Sequence, residues 1–284
     1  MKRASRQTFG KVFDDIAVDY DRQRPGYPDQ LIDYACQDAH LKSGDNVLEV
    51  GCGSGQLTKA LLERRLRVTA LEPGDNLITI AETNLQGAGD VEFVHATFEG
   101  AKLPSACYKA VFSASAFHWI DPEVSWLKAA DVLVPGGTIA LLQHFGLREK
   151  RTAQDLDLQL AALRKVDPES AAQWPQYFEL NEIISGVKMR RGNLSEAWSW
   201  LGSFDLTRDY VGQLYDDVQL AAMPEMTEQT AEQILRLLRT LSFYSRLSSK
   251  QRGALEYEYM SIAERLGRPL RSSILSVVLT AHRK

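Results

Sequence analysis

The chain has 284 residues, an apolar share of 44% and a formal net charge of −4. That length and composition suit one large α/β domain carrying an insertion, or two unequal lobes, with a sizeable core. The negative balance leaves no overall electrostatic footprint for nucleic acid. No run reaches the length of a membrane span, and no apolar stretch follows Met1-Lys2-Arg3, so no secretory signal is expected.

Near the N-terminus Phe13, Ile16, Ala17 and Tyr20 share helical spacing; Pro25 and Pro28 end that stretch, and Leu31 to Ala39 forms the next helix. The run Val47-Leu48-Glu49-Val50-Gly51-Cys52-Gly53-Ser54-Gly55-Gln56-Leu57 then reads as a buried strand, a glycine-rich turn and a helix. Gly51, Gly53 and Gly55 let the backbone turn tightly and approach a ligand with no Cβ in the way. Ser54 or Gln56 opens a helix (Leu57, Ala60, Leu61, Leu62) whose first amides can meet a polar ligand. Glu49 sets a carboxylate at the strand's carboxyl end.

Arg67 to Leu71 reads as the second strand, ending in Glu72-Pro73-Gly74, and Asp75 is the expected N-cap of a helix through Leu77, Ile78, Ala81 and Leu85. Val91 to Val94 and Ala110 to Ala114 are strands three and four. Asp121-Pro122-Glu123 starts a helix with proline in its first turn, and Pro135-Gly136-Gly137 turns the chain into strand five, Thr138 to Leu142. Such alternation implies a parallel sheet covered on both faces by right-handed crossovers.

After Phe145 the pattern changes. Residues 149–209 lack strand runs, are rich in charge and contain Trp174, Trp198 and Trp200; they read as mostly helical. Val211 to Met223 reads as extended and stopped by Pro224. Thr227 to Leu241 reads as a helix beginning near Thr227 or Glu228, Ser248 to Leu266 as a second long helix, and Ile274 to Ala281 as a closing strand. The expected divisions are an α/β core with its N-terminal helical segment over 1–145, a helical cap over 146–210 and completion of the core over 211–284. Cys36, Cys52 and Cys107 are odd in number and widely spaced, which suggests reduced thiols in a cytoplasmic setting, with no disulfide framework and no metal site. Cys52 reads as a small side chain that fits the turn, or alternatively as a catalytic thiol.

The pattern Glu-x-Gly-x-Gly-x-Gly at Glu49 to Gly55 resembles motif I of the class I S-adenosylmethionine (SAM)-dependent methyltransferases. The rival dinucleotide fingerprint Gly-x-Gly-x-x-Gly needs a third glycine where Gln56 stands. A carboxylate before the glycines would also repel a pyrophosphate and attract the ammonium and sulfonium of SAM. Leu133-Val134-Pro135-Gly136-Gly137 is similar to the family's motif before strand five. Tyr108-Lys109-Ala110-Val111 resembles its entry to strand four, with Lys109 replacing an acid. A narrower likeness, to the type 11 and trans-aconitate-methyltransferase-like small-molecule group, rests on Phe13 through Pro28, on Ala116-Phe117-His118-Trp119-Ile120-Asp121-Pro122 and on Leu238 through Ser245.

The resemblance implies a doubly wound, Rossmann-like, seven-stranded and mostly parallel sheet with the last strand antiparallel. It implies SAM as cofactor, S-adenosylhomocysteine (SAH) as product and a small organic acceptor, with no nucleic acid or membrane partner, in a monomer or homodimer. By the same resemblance Glu72 holds both ribose hydroxyls, which a carboxylate accepts together. The segment Phe93 to Glu99 flanks the adenine, with Thr97 standing where the family usually has aspartate. The implied cofactor site comprises Tyr20, Arg24, Glu49, Gly51, Cys52, Gly53, Gly55, Glu72, Pro73, Thr97, Phe98, Glu99, Ser113 and Ala114. Arg24 would pair with the methionyl carboxylate. No metal is implied. His118, following strand four, is the candidate general base, with a structural plug formed by His118 and Trp119 as the alternative; Asp14, Asp21 and Tyr27 are weaker candidates. Trp198, Trp200, Phe204 and Tyr210 line an acceptor pocket or form their own core. Two other classes stay open: an NAD(P)-dependent oxidoreductase, and a non-catalytic SAM-binding protein.

Overall fold

Strand residues at every second position point to one face of a sheet, and here that alternation builds two apolar layers. A computed structural model describes residues 26–172 and 177–284, together with Asp14, Ala17 and Asp21. Phe13, Ile16, Tyr20, Arg24, Pro25 and Trp174 lie outside the described residues.

In chain order the elements are α1 (Asp29–Asp38), β1 (Asn46–Val50), α2 (Gln56–Glu63), β2 (Arg67–Glu72), α3 (Asp75–Asn84), β3 (Val91–His95) and β4 (Tyr108–Ala114). A 3-10 turn at Phe117–Trp119 leads to α4 (Pro122–Val132) and β5 (Leu133–Gly146). Then come α5 (Ala153–Val166), α6 (Pro168–Ala172), α7 (Leu180–Met189), α8 (Leu194–Gly202), α9 (Val211–Leu214) and β6 (Tyr215–Gln229). The chain closes with α10 (Ala231–Arg239), α11 (Ser242–Arg246), α12 (Ser249–Leu266) and β7 (Leu270–Arg283).

The seven strands form one sheet in the order β3-β2-β1-β4-β5-β7-β6. The β1, β2, β3, β4 and β5 pairings are parallel, and β7 runs antiparallel to both of its neighbours. This is the expected doubly wound, Rossmann-like order with an antiparallel last strand.

One sheet face carries Leu48, Val50, Leu71, Val111, Ile139, Leu141, Val277 and Leu279, packed under Trp126 and Ala129 of α4, Ile183 and Val187 of α7, and Ala197 and Trp198 of α8. The other carries Val47, Val68, Ala70, Ala110, Phe112, Ala140, Leu142 and Val278 beneath Leu31, Ile32 and Ala35 of α1 and Leu57 and Leu61 of α2. A third cluster joins Ala162 and Leu163 of α5 to Ile234, Leu235 and Leu238 of α10, Phe243 and Tyr244 of α11, and Leu255 and Tyr259 of α12. The apolar contacts therefore cut across the expected 146–210 division: α7 and α8 join the core, and α5 joins helices that lie between β6 and β7.

Several boundaries differ from the sequence reading. Val211 to Leu214 is a helical turn, and β6 runs through Pro224 to Gln229, pairing Pro224 with Leu275. β6 is an edge strand, where a residue without an N–H is tolerated. The following helix starts later than Thr227 or Glu228, with Thr230 as its N-cap in a reciprocal capping box with Gln233. Asp75 sits inside the first turn of α3, not at its cap. The exposed amides there go instead to Asp14, whose carboxylate accepts from Asn76 N at 2.7 Å and Leu77 N at 3.0 Å. A cap 62 residues away leaves no local signature.

Candidate functional site

The carboxyl ends of the parallel strands form a cleft, as expected where the strand order reverses between β1 and β4. Its floor is the glycine turn. Gly51, Gly53 and Gly55 all have left-handed φ, at +75°, +56° and +89°, a region costly to side chains with a Cβ. A Cβ on Gly51 would lie 2.4 Å from the Ala116 side chain, and one on Gly55 2.7 Å from Leu85. Gly51 N and Cys52 N both donate to Leu71 O, which fastens the turn to the end of β2.

Two carboxylates frame this turn. Glu49, on β1, lines the cleft yet is only 1% exposed. Its Oε2 accepts from Thr58 Oγ1 at 2.6 Å. Burial dominates and pushes its carboxyl up to about 7, with the Thr58 hydrogen bond opposing and the Glu72 charge adding; no cation among the described residues figures among these influences. Glu72, at the end of β2, accepts from Gly53 N at 2.9 Å through Oε2 and from Gly74 N at 3.0 Å through Oε1. Burial raises its carboxyl as well, against those two amide hydrogen bonds. Ser54 Oγ, buried beside the turn, makes no hydrogen bond among the described residues.

The far wall of the cleft comprises Tyr27, Ala114, Ser115 and His144. Tyr27 Oη and Ser115 Oγ share a hydrogen bond of 2.7 Å. The Tyr27 and His144 rings stack at 4.2 Å with their planes 9° apart. His144 Nδ1 lies 2.9 Å from Ser276 Oγ. The β5–β7 register pairs these two residues directly, so the sheet itself fixes the imidazole. Ser115 takes a left-handed φ of +54°, a strained conformation of the kind held at ligand sites.

Of the residues expected at the cofactor site, Glu49, Gly51, Cys52, Gly53 and Ala114 line the cleft. Gly55 caps α2, and Glu72 clamps the turn from behind. Pro73 presents its carbonyl to His95 Nε2 at 3.2 Å. Thr97 is exposed, and its hydroxyl accepts from Gly100 N. Glu99 Oε1 accepts from Asp121 N, at the start of α4. Tyr20 and Arg24 lie outside the described residues, although the same N-terminal segment reaches the turn where Asp21 O accepts from Gln56 Nε2.

Three of the expected residues have side chains placed away from the cleft. The Ser113 side chain faces away from the cleft and donates to Val50 O at 2.9 Å in the core, because it shares the parity of Val111. The Phe98 ring is 2% exposed and belongs to the same core, with Lys128 Nζ over it. His118 does not line the cleft; its ring lies parallel to Phe204 at 4.5 Å and near Trp119 at 4.9 Å. The imidazole in the cleft is His144, which the reading of the sequence missed. Its signal was there: His144 stands two residues past Leu142, at the carboxyl end of strand five. Burial also holds the Cys52 thiol well above its ordinary range, which suits the small-filler reading and not a reactive thiolate. Among the described residues, no cluster of histidine, cysteine and acid is placed to hold a metal, and no helix is long and apolar enough to cross a membrane.

Residues 48–141 match a family model described as a methyltransferase domain. An uncharacterised methyltransferase of Mycobacterium tuberculosis is 33% identical over 138 residues, 49% of this chain and 54% of that protein. Another, from Geobacillus kaustophilus, is 33% identical over 140 residues, 46% of this chain and 64% of that protein. The chain spans about half the length of the first of these curated relatives. Among solved structures, a type II methyltransferase structure from Anaeromyxobacter dehalogenans aligns with a TM-score of 0.58 at 23% identity, over 92% of this chain and 97% of that one. A SAM-dependent methyltransferase from Geobacter sulfurreducens, in complex with SAH, aligns with a TM-score of 0.50 at 15% identity, over 92% and 93%. At such identities the structures speak for the fold. The domain match over residues 48–141 and the sequence relatives speak for a methyltransferase domain in that stretch.

Proposed function

We propose that this protein transfers a methyl group from SAM to a small organic acceptor by in-line displacement. The observation that carries the reading is Glu49: a carboxylate 1% exposed, at the floor of a three-glycine turn, with a hydroxyl for a partner and no cation among the described residues acting on it. Burying such a group is costly until an opposite charge arrives. A cationic ligand tail fits it, and a pyrophosphate does not.

When bound, SAM supplies an electrophilic methyl group on a sulfonium. Glu49 would face the donor's ammonium. Glu72 has one lone-pair site on each oxygen committed to a backbone amide, and a carboxylate offers about four such sites, so it retains capacity for two vicinal hydroxyls. The glycine turn bares main chain between the two acids. The work of these residues is alignment and exclusion of water.

The helices of the third apolar cluster leave the sheet at the carboxyl ends of β5 and β6, the end where the cleft lies. This supports a capping role over a small acceptor and leaves little room for a polymer. The likeness of Ala116 to Pro122 and of Gly26-Tyr27-Pro28 to the small-molecule group points the same way.

Calorimetric titration tests the proposal. SAH is expected to bind the wild-type protein, NADH to give no heat, and Glu49→Gln to weaken SAH by about 10- to 100-fold, the worth of a hydrogen bond to a charged group. Folded protein that gives no heat with SAH would overturn the reading.

A further inference from the structure

We propose that this chain self-associates through the outward face of α12, which packs antiparallel against α12 of a second copy with Tyr257 on the two-fold axis. The helix is fixed on its other sides within its own chain. Leu255, Tyr259 and Ile262 are buried in the third apolar cluster. On one flank Glu256 accepts from Arg239 of α10 at 2.7 Å, and on the other Glu258 pairs with Lys165 of α5. Helical spacing then leaves Lys250, Gly253, Tyr257, Met260 and Glu264 along the opposite side, three and four residues apart. All five are exposed. Tyr257 is 69% exposed and Met260 44%, so two large apolar side chains lie about one turn apart on a face held in place from behind. No residue of α12 lines the cleft, so this surface is separate from the glycine turn and does not depend on the methyl-transfer reading.

Two features of the face work against the helix that carries them. Lys250 stands in the first turn and Glu264 in the last, each of the wrong sign for the helix macrodipole. Gly253 sits inside the helix, where it costs about 1 kcal/mol relative to alanine. A Cβ at Gly253 would meet nothing within 4 Å, so packing inside the chain does not ask for a glycine there.

An antiparallel copy answers both. With Tyr257 at the centre, Lys250 stands level with Glu264 of the second copy, about 10 Å from the axis by helical rise. The two-fold repeats that pair at the other end, and each helix end lies beside an end of opposite dipole. Gly253 comes beside Met260 of the second copy, where the missing Cβ leaves room for the longer side chain. Ala254 comes beside Ser261 of the second copy, and the two Tyr257 rings meet across the axis, where aromatic pairs settle into an offset stack. A parallel copy would set Lys250 against Lys250 and Glu264 against Glu264. Charge therefore selects both the occupant and its direction. The helix has 18 residues, and a face about 27 Å long and about 10 Å wide is small for a specific interface. The dimer is accordingly reversible, with Kd in the range of about 10 to 100 µM.

Sedimentation equilibrium of the full chain, over roughly 10 to 500 µM to bracket that range, tests the proposal. Wild-type protein is expected to pass from monomer to dimer. Lys250→Glu and Glu264→Lys each place like charges opposite one another and should weaken self-association by about tenfold or more. An equimolar mixture of those two variants should dimerise at least as tightly as wild type, because the mixed pair sets two acids against two bases at both ends. Tyr257→Glu, with like charges on the axis, should stay monomeric. A wild type that remains monomeric throughout overturns the proposal. So does a dimer whose strength is unchanged in all three variants, or a mixture that associates no better than its components. Far-UV circular dichroism confirms folding; should Tyr257→Glu not fold, the mixing result decides, since Lys250 and Glu264 are both exposed.

Discussion

Position 49 combines burial, charge and ligand chemistry in one side chain. Its carboxyl, pushed up to about 7 by burial, is part-protonated near neutrality in the ligand-free protein. A cationic ligand prefers the ionised form, so its affinity depends on pH. SAH binding should weaken by about tenfold for each pH unit below about 7, since one proton must be lost on binding there. The slope should flatten above that pH and vanish in Glu49→Gln; calorimetry across pH measures it, and a slope that persists in the variant would place the titrating group elsewhere. Glu49, the glycines and Glu72 were legible in the sequence because short-range chemistry fixes them: a turn needing left-handed φ and a strand end needing an acid. The Ser113 and Phe98 side chains turn into the core, which the sequence did not show because a motif gives position along the chain but not which face a side chain takes. His144 was passed over because its neighbours in the site, Tyr27 and Ser276, are more than 100 residues away from it in sequence, and no local pattern joins them.

The elements follow the same division. β1 to β5 were readable because each is a short apolar run between helical stretches, with Gly51 after β1 and Pro73 after β2 marking strand ends, and the two apolar layers assemble from the two faces of those runs. β6 was not, because Pro224 normally stops a strand and only the edge position in the finished sheet makes it acceptable. The start of α3 was missed for a related reason, its cap being supplied by distant Asp14. The turn into α2 gives a direct test of element-level constraint. Gly55→Ala places a Cβ in left-handed backbone and 2.7 Å from Leu85 Cδ1. The conformation alone costs about 1–2 kcal/mol, so denaturant unfolding should show a lowered midpoint with an unchanged slope. Thr230→Ala, which removes the cap of α10, should cost about 1 kcal/mol and leave SAH affinity untouched, because α10 lies in the third cluster and not along the glycine turn.

Across the whole molecule, two sets of carboxylates pull stability in opposite directions as pH changes. In the cleft, Glu49 and Glu72 are raised by burial. The folded protein then binds their protons more tightly than the unfolded chain does, so stability falls as pH rises from about 4.5 through about 7. For Glu49 this amounts to roughly 3 kcal/mol, at 1.36 kcal/mol per unit. Asp155 has the opposite sign. On α5, it accepts from both terminal nitrogens of Arg268 and from Arg271 N at the entry to β7, and the Arg268 guanidinium holds its carboxyl below the usual range. Its contribution is present above the unfolded value near 3.8 and is lost as pH falls through the lower folded value. The ligand-free protein should therefore be most stable in mild acid, above the range where Asp155 protonates and below the range where Glu49 ionises. A cationic ligand opposite Glu49 removes the upper penalty and leaves the lower one. The rise in thermal midpoint caused by saturating SAH should grow between about pH 5 and pH 7, where Glu49 loses its proton, and level off above. Thermal unfolding in paired buffers with and without SAH measures this directly; a rise of constant size across that range would mean that the ligand's charge does not meet the buried acids, even if the ligand binds.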